Sequence, residues 1–141
     1  MERIIKEKIS ADHLLYVSLK YTKTCDVIIN LLLRWSNMIN YAFENLIERL
    51  KKQKKWTPIP DAPRAKIIQL RKIYASDELI QKVLGMYELF REIEKLDKIR
   101  ESEFRKGVNL KVTYKEEIVN INLDKLKEYA EILERFISTL K

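Results

Sequence analysis

Two glycines, three prolines, one cysteine and one histidine are all that 141 residues contain of the side chains that most often bend, cross-link or ligate. A chain this poor in turn formers runs in long regular elements, and helices satisfy their backbone within one segment, so a mainly α fold is expected. With Cys25 alone, no internal disulfide can form, which fits a reducing cytoplasm. His13 and Cys25 are a poor basis for a metal site, which needs several converging ligands, so neither metal nor cofactor is expected. Gly85 and Gly107 stand apart, which excludes a glycine-rich phosphate loop. The most apolar run, VIINLLL at 27–33, is far short of the ~20 residues that span a bilayer. The first ten residues, MERIIKEKIS, are too charged for a signal peptide. A soluble, cytoplasmic protein without membrane contact follows as the expectation.

What is present is apolar pattern and charge. The length suits a single domain, residues 1–141, and hydrophobic residues at 46% suffice for a core. Richness in Lys, Glu and Ile resembles the composition of proteins from hot environments. The net charge of +7 is concentrated. Residues 1–48 are neutral and residues 73–141 carry −1, whereas RLKKQKKWTPIPDAPRAKIIQLRK, residues 49–72, carries +8. A patch this focal points to an anionic partner.

Leu14, Ser18, Tyr21, Cys25, Ile28, Leu32, Trp35, Ile39, Ala42 and Leu46 alternate spacings of three and four, a heptad seam. A second stripe, Leu15, Leu19, Ile29, Leu33, Phe43, Ile47 and Leu50, runs beside it. Together they predict one long helix from about Asp12 to about Lys55, with Ser10 as its cap. Such a helix would reach roughly 66 Å at 1.5 Å per residue. It either kinks near Ser36 and Asn37 or packs its far end, around Trp35, Ile39 and Phe43, against a second copy in a homodimer. All three prolines lie in WTPIPDAP, 56–63, the first connection. A short helix over 62–75 capped by Asp61 follows. A third helix, started by Ser76, Asp77 and Glu78, runs to about Lys106, with Leu79, Val83, Met86, Phe90 and Ile93 inward. Its outer face carries the pairs Glu94–Lys98 and Glu101–Arg105. Gly107 is expected to close it as a left-handed cap. Alternation at Val108–Tyr114 and Ile118–Leu123 predicts a β-hairpin, and Asp124 caps a last helix. The fold class expected is an up-and-down four-helix bundle with a long first helix and a small β-hairpin before the last.

No residue is expected to be catalytic. Cys25 lies in the apolar seam, where a thiol is a small hydrophobe. Glu94, Asp97 and Glu101 are interleaved with Arg91, Lys95, Lys98 and Arg100, which makes a solvated face rather than a carboxylate site. The candidate binding residues are Lys51, Lys52, Lys54, Lys55, Trp56, Arg64, Lys66, Arg71 and Lys72. The cations can hold phosphates while Trp56 either stacks on a base or packs beneath the turn.

The layout, with its basic surface and the stretch FREIEKLDKIRESEFRKGVNLKV, resembles the HEPN superfamily and in particular some archaeal members. That resemblance implies a small helical bundle, dimeric assembly, and a nucleic acid or a nucleotidyltransferase as partner. The family's ribonuclease motif, an Arg followed four to six residues later by His, has no counterpart before His13, so the resemblance implies a non-catalytic member. The expected function is a non-enzymatic interaction module that binds nucleic acid or a nucleotide-handling protein through residues 49–72. A structural self-associating subunit and a degenerate ribonuclease are the alternatives.

Overall fold

A computed structural model describes all 141 residues. Helix α1 comprises Glu2–His13, a π-helical turn Leu14–Ser18 and Leu19–Tyr21 without interruption. Its buried residues Ala11, Leu15 and Leu19 recur every fourth position, a spacing that the wider π-turn keeps on one face. The chain then leaves helical geometry at Thr22–Thr24 and restarts as α2, Cys25–Lys52. Thr24 caps it, its Oγ1 accepting from the Val27 N–H at 3.4 Å, and Asp26 sits at the positive end of the dipole.

The single helix expected over 12–55 is therefore two. They fold back antiparallel, with Glu7 paired to Arg34 and Arg3 lying over the Tyr41 ring. Ser10 is inside α1 and caps nothing. α2 passes through Ser36 and Asn37 unbroken, and Trp35, Ile39 and Phe43 are buried within the chain, so no overhang is left for a second copy to cover. The seam from Cys25 to Leu46 is buried as expected, but Tyr21 is 78% exposed, and Leu15 and Leu19 of the second stripe face inward in place of Leu14 and Ser18.

Helix α3 spans Pro63–Ile73, with Pro63 tolerated in its first turn. Asp61 does not cap it; its carboxylate pairs with Lys66 at 2.8 Å. Helix α4 spans Glu78–Glu92, and Asp77, not Ser76, accepts the Ile80 N–H. Val83, Met86, Phe90 and Ile93 face inward as expected, while Leu79 is half-buried. α4 ends well before Lys106. Lys98 Nζ donates to the carbonyls of Glu94 and Leu96 and satisfies the free end of the chain's turn, and the chain becomes strand β1, Lys98–Glu101. The helical pairs expected there do not form: Glu101 instead accepts from the Asn109 amide and pairs with Lys111.

Strands β2, Asn109–Tyr114, and β3, Glu117–Asn122, form the expected hairpin, and β1 adds to it in an antiparallel sheet of order β1-β2-β3. The hairpin turns on Lys115 and Glu116, both with positive φ, the geometry of a tight two-residue turn. Gly107 is not left-handed; Ser102 and Phe104, five and three residues before it, are. Helix α5, Leu123–Ser138, is capped by Asn122, whose Oδ1 accepts the Lys125 N–H at 2.9 Å, and Asp124 lies inside its first turn.

One hydrophobic cluster takes in all five helices and the inner sheet face of Leu110, Val112 and Ile121. At its centre Phe90 of α4 lies 6.0 Å from Trp35 of α2 and 5.1 Å from Tyr129 of α5. The result is a mainly α fold with a small antiparallel sheet, whose outer face, Ile99, Asn109, Lys111 and Asn120 among its residues, is turned away from this core. No helix is long and apolar enough to cross a membrane.

Candidate nucleic-acid interface

The nine basic-corner residues divide by what they touch. α2 ends at Lys52 because Lys54 turns left-handed, at φ 57°, and the Lys55 N–H reaches back to the Leu50 carbonyl at 2.9 Å. In a glycine-poor chain a lysine takes the conformation that a glycine takes elsewhere. Lys51 pairs with Glu48 at 3.7 Å, Lys66 with Asp61, and Arg71 with Glu88 of α4. The Lys66 ammonium also holds the Asp61 carboxyl below its usual range. Nearby Arg49 donates to the Leu140 carbonyl and so ties α2 to the C-terminal end. Lys52, Lys54, Lys55, Arg64 and Lys72 are exposed and take part in no ion pair.

Trp56 differs from its neighbours. It packs against the core from the proline-rich connection and lines a small hollow with Ile47 and Ile59. The charged rim there is Glu44, Glu48 and Asp61 against Lys51 and Lys66, a poor cradle for phosphate. Of the two roles open to Trp56, packing beneath the turn is the one this geometry serves. The cations free to meet a polyanion lie outside that hollow.

Two further hollows carry chemistry. Between α1 and α2, His13 shares a hollow of about 800 Å³ with Arg34, Asn30 and Asn37. His13 is exposed near the middle of α1, and since α1 and α2 are separate helices it does not share one with Cys25. Cys25 is fully buried, burial pushes its thiol up, and Sγ donates to the Asn109 carbonyl at 3.4 Å, all of which suits a packing role.

The third hollow escaped the sequence reading. It lies on the outer sheet face and also measures about 800 Å³. Lys23 from the α1–α2 connection, Lys106 from the β1–β2 loop, Lys111 from β2 and Lys127 from α5 line it. Asn109 Nδ2 donates to Glu101 Oε1 and Asn120 Oδ1, both at 2.9 Å, while its own Oδ1 is buried without a donor. An unmet buried acceptor costs about 1–3 kcal/mol. The lysines are up to 104 positions apart, so no local motif announces them; three asparagines on the polar side of the hairpin, at 109, 120 and 122, were the one available signal. No group of three or more His, Cys, Asp or Glu side chains comes together as a metal site. No family model, curated protein or solved structure matches the chain.

Proposed function

We propose that this protein is a non-enzymatic module that binds single-stranded nucleic acid through the corner formed by residues 49–72. The carrying observation is the set of exposed cations without ion-pair partners: Lys52, Lys54, Lys55, Arg64 and Lys72. A lysine already paired with a carboxylate releases little on meeting a phosphate, whereas a free one displaces a condensed counterion from the strand. If all five meet phosphates, log affinity falls with log salt at a slope of about −3.5, at ~0.7 per phosphate. Changing Lys52, Lys54 and Lys55 to Gln is expected to bring the slope to about −1.4. The helix end survives, because Lys52 alone of the three lies within the helix, where Gln is a comparable helix former, and Lys54 and Lys55 are exposed beyond it. Fluorescence anisotropy of a labelled single strand across a salt series decides the matter. Absence of binding at low salt, or a slope indifferent to the triple change, would remove this reading.

A second reading, a ribonuclease, draws on the hollow between α1 and α2. The ordering of Arg34 and His13 along the chain forbids the superfamily's motif, yet the helical hairpin brings both side chains to one hollow with Asn30 and Asn37. An imidazole can take a hydroxyl proton while a guanidinium offsets charge on a phosphate. The non-enzymatic reading expects no RNA cleavage above background. Turnover that His13→Ala abolishes, with the thermal midpoint unchanged, would replace it with this one.

A further inference from the structure

We propose that the outer sheet face is a second binding site, separate from the basic corner, that takes a nucleoside phosphate unit: phosphate among Lys23, Lys106 and Lys127, base against Phe104. The argument begins with the β1–β2 loop. Ser102 and Phe104 have φ of 52° and 67°, a region that a bulky side chain avoids. The loop is held there from outside, since the Phe104 N–H donates to the Lys23 carbonyl at 2.6 Å. The product of this uncommon backbone is a ring in water: Phe104 is 74% exposed, and Tyr21, two residues before Lys23, is 78% exposed. Unusual backbone of this kind gathers at functional sites. Exposed aromatic faces beside cations are the arrangement that stacks bases while holding phosphates.

The hollow beside this loop supplies the cations. Its volume of about 800 Å³ lies within the range of small-ligand sites, ~300–1,000 Å³. Four lysines line it against two carboxylates, Glu101 and Asp124. Glu101 is already engaged by Lys111 and the Asn109 amide, which leaves Lys23, Lys106 and Lys127 outside any ion pair. Cations lining the hollow, with an exposed aromatic ring on the loop that borders it, fit a nucleoside phosphate, either free or at the end of a strand.

Calorimetric titration of the full chain with adenosine 5′-monophosphate, inorganic phosphate and a short oligoadenylate tests this. The nucleotide or the oligoadenylate is expected to bind more tightly than phosphate. Phe104→Ala and the pair Lys106→Gln, Lys127→Gln should each weaken that binding by about 5- to 100-fold, in line with base stacking and phosphate contacts. Both variants alter exposed side chains, and an unchanged circular dichroism spectrum confirms the fold. The corner triple Lys52, Lys54, Lys55 to Gln should leave mononucleotide binding untouched, so failure of the corner and failure of this site read out separately. Loss in the oligoadenylate arm alone assigns the site to strand ends; loss in the mononucleotide arm assigns it to free nucleotide. Phosphate binding as tightly as nucleotide, or affinities indifferent to both variants, overturns the proposal.

Discussion

Phe90→Ala is expected to lower the free energy of unfolding by roughly 3–5 kcal/mol, the range for removing a buried phenyl ring. Phe90 has no exposed surface and contacts aromatic rings from two other helices, Trp35 of α2 and Tyr129 of α5. Deleting the ring therefore removes transfer free energy and leaves a cavity whose walls belong to separate elements, so no single helix can move to fill it. Aromatic pairs at these separations add about 0.5–1.5 kcal/mol beyond burial. Since a domain of this kind is stable by ~5–15 kcal/mol, the loss takes much of the total. Phe90→Leu keeps most of the volume and is expected to cost less than half as much. Urea midpoints at constant m-value measure both. A loss below about 1.5 kcal/mol for the alanine variant would mean that the three helices close over the gap and that their packing is looser than described.

The same ring illustrates which parts of the fold could be read in advance. Positions whose spacing encodes burial were legible: the stripe from Cys25 to Leu46, the inward set Val83, Met86 and Phe90, and the hairpin alternation. The break at Thr22–Thr24 was not, because the seam residues on either side stay in phase and no glycine or proline interrupts them. The only sign was a threonine two residues before an aspartate, the combination that caps α2. The end of α4 was hidden for another reason. Lys- and Glu-rich sequence suits a helix by propensity, but residues 98–101 gain more by pairing with β2, a partner that local pattern does not reveal. Glycine also misled. In this chain the left-handed positions fall on Lys54, Ser102, Phe104, Lys115 and Glu116, none of them glycine.

The candidate sites follow the same division. The basic corner is contiguous and so was visible as composition. Which of its cations are free was not, since Glu48, Asp61 and Glu88 approach from a neighbouring turn, the proline-rich connection and α4. The lysines of the outer sheet face and the side chains of the His13 hollow come from separate elements, and only the fold juxtaposes them.

Alkaline unfolding should report the burial of Tyr129. Desolvation in the core, with a smaller contribution from Glu128, pushes its hydroxyl up to about 12, against the ordinary value of 10.0. The folded chain therefore holds this proton where the unfolded chain releases it. The contribution of this group is at its full value below pH 10 and is lost as pH rises through the window from 10 to about 12. At 1.36 kcal/mol per pH unit the loss reaches ~2–3 kcal/mol for this one group. Tyr74 and Tyr87 are also shifted upward by burial, and Lys8 by its bonds to Asp12 and Glu134, so a shallower decline of the same sign underlies it. Tyr129→Phe keeps the ring that packs against Phe90 and Trp35 and removes the ionisation. Urea denaturation at pH 8 is expected to distinguish wild type from Tyr129→Phe by less than about 1 kcal/mol. At pH 11.5 the variant should be the more stable of the two. Parallel stability curves across that window would show that the hydroxyl reaches water in the folded chain and that α5 packs less closely on α2 and α4 than described.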